Sequence, residues 1–163
     1  MESIERQALE RKIRVFTILF MVGLVLSGLT AFPIESQLEF GAKIISFFPD
    51  LFQAWFKKIY LAVKETNQKY PFMAYGTDWL AFAHLVIAVV FIGPLKDPVR
   101  NNWVYQFGMI ACVMVFPLAF ICGPIRGIPW FWTLIDCSFG FFGFIPLYLC
   151  YKWTILLEKN RTN

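Results

Sequence analysis

The chain has 163 residues, of which 58% are hydrophobic and only 16% are charged. Soluble domains average about 45–50% apolar and about 25% charged residues, so the apolar surplus excludes a soluble globular domain and predicts a single membrane domain. The net charge of +4 comes from residues concentrated at the chain ends and in two connecting stretches, which is typical of side chains that flank a membrane and excludes a nucleic-acid-binding face.

The first predicted element is a membrane span near the N-terminus. Residues 1–14 alternate acidic and basic side chains and predict the cytosolic start of a helix. The apolar run over residues 15–33 follows, and Pro33 ends it because proline has no amide hydrogen for a helix interior. The run exceeds the roughly 7–15 apolar residues of a signal peptide and lacks a good cleavage site, so we expect an uncleaved span.

The stretch over residues 34–71 has a different pattern. From Pro49 onwards apolar side chains recur every three to four residues, whereas polar and charged side chains lie off that stripe. This spacing predicts an amphipathic helix over residues 49–68 that lies in the headgroup region or caps the bundle. A membrane-spanning placement is disfavoured because it would bury Asp50 and two lysines in hydrocarbon, each at a cost of about 2.5–3.5 kcal/mol.

Three further apolar stretches predict membrane spans. Gly93 and Pro94 end the second span, Pro117 predicts a kink in the third, and two prolines stiffen the short connection before the fourth. The predicted fold class is an all-α integral membrane protein, a four-helix transmembrane bundle with one amphipathic interfacial helix between spans one and two. The four predicted spans cover residues 15–33, 73–95, 103–122 and 130–151.

Basic residues close to the span ends predict the orientation. The N-terminal segment, the 96–102 turn and the C-terminal tail lie on one side of a four-span protein, and they carry most of the lysines and arginines nearest the spans. Cytosolic segments are enriched in such residues, so we expect a multi-pass protein with both termini in the cytosol.

Small residues predict which helix faces meet, because membrane helices pack closely where side chains are short. In the first span the predicted face is Gly23, Ser27 and Thr30. The faces in the other three spans are Ala74, Thr77, Ala81, His84 and Ala88; Gly108, Cys112, Val115, Ala119 and Cys122; and Thr133, Asp136, Gly140 and Gly143.

Ionisable side chains among the spans are the candidate site. Asp78 and His84, the only histidine, lie in the second span, Asp136 lies in the fourth, and Arg126 lies in the connection before it. Helical spacing of 100° per residue turns the three span residues toward the small-residue faces. At 1.5 Å per residue both aspartates lie about 7–9 Å below the non-cytosolic boundary, beneath Arg126. We therefore predict an outward-facing binding pocket of Asp78, His84, Arg126 and Asp136.

Several functions are compatible with this pocket. The favoured one is a non-enzymatic membrane subunit or a module that binds a lipid or an apolar small molecule. The structural alternative is an ion pair from Arg126 to either aspartate that only locks two helices. A lipid-acting enzyme with His84 as general base, or a proton-coupled carrier, would use the same residues, so enzymatic activity is left open. Expected partners are the lipid bilayer and either a second copy of the chain or another membrane subunit.

No cofactor and no metal is assigned from the sequence. The four cysteines all fall in predicted spans and form no CxxC pair, so we expect packed thiols and no zinc or redox site. A haem would find only one histidine, His84, with Met109 or Met114 as the other axial ligand, which disfavours a haem site.

Overall fold

A computed structural model of the protein describes residues 3–160, which form helices and turns with no strand in that range. This is the all-helical architecture that the sequence predicts. The α-helices, in chain order, are α1 (Ser3–Ala31), α2 (Ile34–Ile44), α3 (Asp50–Lys69), α4 (Ala74–Val90), α5 (Ile92–Lys96), α6 (Asn102–Ile125) and α7 (Trp130–Lys159). Short 3₁₀ turns, Ile45–Phe47 and Pro71–Met73, lie before α3 and α4.

Within residues 3–160, four helical stretches are long and apolar enough to cross a membrane, and each overlaps one of the four predicted spans. The shortest has 24 residues, which at 1.5 Å per residue is about 36 Å and exceeds the bilayer's hydrocarbon thickness of about 30 Å. Length and composition therefore support a multi-pass membrane protein, while the side on which the termini lie stays a prediction. The stretches are Ile4–Ala31, Pro71–Lys96, Asn102–Ile125 and Trp130–Lys159.

The second predicted span, residues 73–95, is divided into two helices. α4 ends one residue before Phe91, and α5 begins one residue after it. Pro94 explains the break, because its nitrogen has no hydrogen to donate to the carbonyl four residues earlier. The break does not open the structure, since Phe91 is fully buried and packs against the rings of Phe20 and Tyr105, with centroid distances of 4.9 and 6.4 Å.

The segment between the first two spans contains one helix more than the sequence predicts. The predicted helix over residues 49–68 is present as α3, and a further helix, α2, forms over residues 34–44. α2 and α3 pack closely because Gly41 has no side chain: a Cβ there would lie 2.5 Å from the Phe56 ring. The location of α3 at a membrane interface stays a prediction.

The helices group into two compact units. The smaller unit is Gly23–Ala88, and the larger unit combines the described residues up to Val22 with the described residues from Val89 onward. In the larger unit the backbones of α6 and α7 are in contact at Gly140. A Cβ on this residue would lie only 2.6 Å from the carbonyl oxygen of Cys112, so the contact requires a glycine. Both residues belong to the predicted small-residue faces, so these faces meet as expected.

In the smaller unit the small-residue face predicted for the first span is wrong. A Cβ on Gly23 would meet no heavy atom within 4 Å, and Thr30 is exposed. The close approach to α4 is made by Gly28, where a Cβ would lie 2.8 Å from the carbonyl oxygen of Ala81. One residue corresponds to 100° of rotation, so the face that packs is turned about 100° from the predicted position Ser27.

Candidate functional site

Arg126 is held at the end of α6 by a pair of helix-ending hydrogen bonds. The amide of Ile128 donates to the carbonyl of Gly123 at 2.9 Å, and the amide of Gly127 donates to the carbonyl of Pro124 at 3.1 Å. These two bonds form the Schellman motif, and Gly127 supplies the left-handed backbone that the motif requires, with a φ of 67°. The backbone of Arg126, directly before Gly127, therefore has a fixed position.

Asp136 reaches the same region from α7. One turn before it, Thr133 is buried beside Gly123, where a Cβ would lie 3.2 Å from the threonine hydroxyl. The glycine thus allows the end of α6 to lie against the start of α7. Arg126 and Asp136 line one cavity of about 230 Å³, named here the Arg126–Asp136 cavity. Its other lining residues are Val115, Leu118, Ala119, Cys122, Gly123 and Ile128.

The two charges in this cavity do not neutralise each other directly. Arg126 is exposed and Asp136 is half-buried, and within residues 3–160 they form no ion pair. The remaining lining is apolar apart from one thiol. Charged groups at membrane depth are costly and usually face a partner or a cavity. The cavity therefore offers a positive and a negative group to a ligand that enters it.

Asp78 lies on α4 in the smaller unit and lines a different cavity, of about 290 Å³. The other lining residues are the aromatic side chains Phe32, Tyr75, Trp79 and Phe82. The Trp79 ring meets Tyr75 and Phe82 edge-on, at centroid distances of 6.0 and 5.9 Å. Aromatic rings beside a carboxylate suit an ammonium group, because the negative ring faces and the carboxylate attract the same charge.

His84 makes a local hydrogen bond on the same helix. Its Nδ1 donates to the carbonyl of Leu80 at 2.8 Å, which leaves Nε2 as the ring nitrogen that can accept a bond. The side chain is half-buried beside Gly28. The bond holds the imidazole ring against its own helix, and the membership of His84 in one pocket with Asp78, Arg126 and Asp136 stays a prediction.

A buried polar network that the sequence does not indicate joins α1, α6 and α7. Thr17 Oγ1 donates to the carbonyl of Ile13 at 2.8 Å, and the Tyr105 hydroxyl donates to Thr17 Oγ1 at 2.7 Å. The Cys150 thiol donates to the same Ile13 carbonyl at 3.7 Å. Thr17 and Tyr105 are 0% exposed and Cys150 is 1% exposed. In the sequence these three residues stand out only as polar side chains within apolar runs. Many lipid-facing residues have the same property, so the pattern does not identify the network.

The cysteines differ in accessibility. Cys122 lines the Arg126–Asp136 cavity and is exposed, whereas Cys112, Cys137 and Cys150 are buried, and all four are free thiols. Among the residues described, no three His, Cys, Asp or Glu side chains cluster closely enough to hold a metal ion. Cys122 is therefore the natural position for a chemical probe of the cavity.

No protein-family model, curated protein or solved structure matches this chain. A fold does not by itself imply a function, because function resides in particular sites. The function must therefore be inferred from the chemistry of the Arg126–Asp136 cavity and of the two apolar helices, α6 and α7, that line it.

Proposed function

We propose that the protein is a non-enzymatic, multi-pass integral membrane protein that binds a zwitterionic lipid headgroup or small molecule in the Arg126–Asp136 cavity. The observation that carries this proposal is the pair of opposite charges that line one apolar cavity without an ion pair between them in residues 3–160. On the predicted topology this cavity opens on the non-cytosolic side.

The chemistry of the two side chains matches the two charges of a zwitterion. A guanidinium group donates paired hydrogen bonds to phosphate or carboxylate oxygens, so Arg126 would hold the anionic part. The Asp136 carboxylate would accept hydrogen bonds from the ammonium part. A ligand that carries both charges compensates both side chains at once, which offsets the cost of holding them in an apolar setting.

The size and exposure of the cavity favour a headgroup over a whole buried ligand. Pockets that enclose small molecules measure about 300–1,000 Å³, and this cavity is smaller, at about 230 Å³. Leu118 in its lining is 62% exposed, so the cavity is continuous with the apolar outer surface of the helices. Acyl chains would lie along that surface while the headgroup occupies the cavity.

Asp78 supplies a second, separate position in the smaller unit. Its aromatic surroundings suit an ammonium group. We propose Asp78 and His84 as binding residues of the smaller unit. Binding in the Arg126–Asp136 cavity does not depend on them.

Native mass spectrometry of the full chain in a mild detergent tests the proposal. Phosphatidylethanolamine, a zwitterionic lipid, is added to the wild type and to the variants Arg126→Gln and Asp136→Asn. We expect one retained lipid on the wild type and its loss from both variants. Arg100→Gln is the matched control, because it removes an exposed cation that lies outside the cavity lining.

Thermal unfolding of the same four proteins separates binding from folding. Loss of the lipid from a variant whose lipid-free unfolding temperature equals that of the wild type supports the proposal. Equal lipid retention by all four proteins would overturn it. A loss of lipid that merely follows a large drop in unfolding temperature would also overturn it, in favour of a structural clamp.

A further inference from the structure

A second cavity of the larger unit lies between α1 and the end of α5. It measures about 440 Å³ and is lined by Arg11 and Arg14 from α1 and by Lys96 from α5. Ile13 and Pro94, both buried, provide an apolar wall. We call it the basic cavity, defined by Arg11, Arg14 and Lys96. Three cations from two helices thus converge on one space.

The carboxylates in the lining already have other partners. Glu10 accepts a hydrogen bond from the Arg6 guanidinium at 3.0 Å, within an ion pair. Asp97 Oδ1 accepts a hydrogen bond from the backbone amide of Arg100 at 3.1 Å. By contrast, the three cations of the basic cavity make no ion pair with any residue in the range 3–160. The cavity therefore has an excess of uncompensated positive charge.

We propose that the basic cavity binds a phosphate-bearing anion. Arginine forks match phosphate oxygens with two parallel hydrogen bonds, and lysine adds a compact positive charge. The volume of about 440 Å³ falls within the about 300–1,000 Å³ that small-molecule pockets occupy. Three cations attract a phosphomonoester, which carries up to two negative charges, more strongly than they attract a singly charged group.

The position along the chain puts this site at headgroup level. The apolar run of the first span starts directly after Arg14, and Lys96 is the last residue of the second candidate span. Basic pockets at this level of a membrane protein are suited to anionic lipid headgroups, and a soluble phosphate ester offers the same chemistry. On the predicted topology the site faces the cytosol.

The site is independent of the Arg126–Asp136 cavity. The two cavities share no lining residue. The basic cavity ends at Pro98, shortly before α6 begins, whereas Arg126 follows the last residue of α6. The 24 residues of that helix correspond to about 36 Å at 1.5 Å per residue.

Binding titrations with the full chain in detergent test the proposal. The probes are phosphatidic acid, phosphatidylcholine, glycerol 3-phosphate and inorganic phosphate. We expect the double variant Arg11→Gln/Arg14→Gln to weaken phosphomonoester binding by about tenfold or more, since each charge-assisted hydrogen bond contributes about that factor. Lys12→Gln is the matched control, because Lys12 lies between the two arginines, is exposed and does not line the cavity.

The outcomes distinguish the source of the anion. Arginine-dependent binding of phosphatidic acid without binding of glycerol 3-phosphate identifies a lipid headgroup, and binding of the soluble ester identifies a soluble ligand. Lys96→Gln, on a different helix, repeats the test if the double variant does not fold. The proposal is overturned if no phosphate-bearing probe binds. It is also overturned if Lys12→Gln weakens binding as much as the double variant does, because binding would then reflect general surface charge.

Discussion

At one end of the larger unit, Thr17, Tyr105 and Cys150 turn their polar atoms toward one another and toward a backbone carbonyl, and water cannot reach them. At the other end, Arg126 and Asp136 line a cavity and, within the described chain, form no ion pair. Both ends of the larger unit carry polar groups in apolar surroundings. The first arrangement satisfies them internally and holds helices together, while the second leaves them available to a ligand.

The contrast also concerns the kind of group at each end. Hydroxyls and thiols are neutral, so a few hydrogen bonds are enough to bury them completely. Full charges need an opposite charge or a polar ligand, and a cavity that opens to the outside can supply one. We therefore expect chemical and thermodynamic tests to give different results at the two ends.

Thiol labelling should show the largest difference between the ends. Brief treatment of the folded wild-type protein with a maleimide, followed by peptide mapping, should modify Cys122 and leave Cys150 unmodified. Cys122 is exposed in the Arg126–Asp136 cavity, and Cys150 is 1% exposed within the polar network. Denatured protein, in which all four cysteines should react, is the control. Equal labelling of both cysteines in the folded state would remove the distinction.

The contact between α6 and α7 that lies between the two ends should be sensitive to one methyl group. Gly140→Ala would place a Cβ 2.6 Å from the Cys112 carbonyl oxygen, so a backbone must shift. We expect a loss of about 1–3 kcal/mol in the free energy of unfolding, measured by denaturant titration in detergent. Gly23→Ala is the matched control, since a Cβ there meets no heavy atom within 4 Å. Equal effects of the two substitutions would show that α6 and α7 are not in backbone contact.

The polar network should show coupling between its members. Thr17→Val leaves the Tyr105 hydroxyl without its acceptor, and Tyr105→Phe removes that hydroxyl. A double-mutant cycle on unfolding free energy should give a coupling of about 0.6 kcal/mol, the average for hydrogen bonds between membrane helices, and at most about 1.7 kcal/mol. Thr30→Val, at an exposed threonine whose hydroxyl donates only to carbonyls of its own helix, is the control. Additive effects would mean that the two hydroxyls do not depend on each other.

Much of the fold could be predicted from the sequence because the membrane imposes a minimum length on an apolar helix. The four long apolar helical stretches of the described residues and α3 follow from that requirement and from helical periodicity. Pro94 indicates a helix break near Phe91, where α4 and α5 are divided. A proline alone does not decide whether a helix kinks, ends or continues, since Pro117 lies within a continuous α6. Neighbouring helices decide that, and a single sequence does not contain their positions.

The candidate site was predictable in its parts and less so in its arrangement. Arg126 and Asp136 are conspicuous because charges are rare among apolar residues, and the short connection between their helices brings them to one cavity. The face of α1 could not be predicted in the same way. Gly23 and Gly28 are equally small, and only the position of α4 makes Gly28 the packed one. The sequence does not indicate that Thr17 joins two helices. A threonine whose hydroxyl bonds only within its own helix has the same appearance in a sequence as a threonine whose hydroxyl bonds to a second helix.

The smallest stability effect is expected at the charged end. Removing one member of a buried ion pair typically costs about 3–5 kcal/mol, because the other charge is left uncompensated. Asp136 makes no ion pair in the described chain, so Asp136→Asn removes a charge without stranding a partner. We expect no loss of unfolding free energy in the lipid-free protein, because an uncompensated charge in apolar surroundings is costly and asparagine removes it. With bound phosphatidylethanolamine the wild type alone should gain stability, since a ligand stabilises only the protein that binds it. A large loss in the lipid-free variant would instead make Asp136 part of the scaffold, and the two ends of the larger unit would then use polar groups for the same purpose.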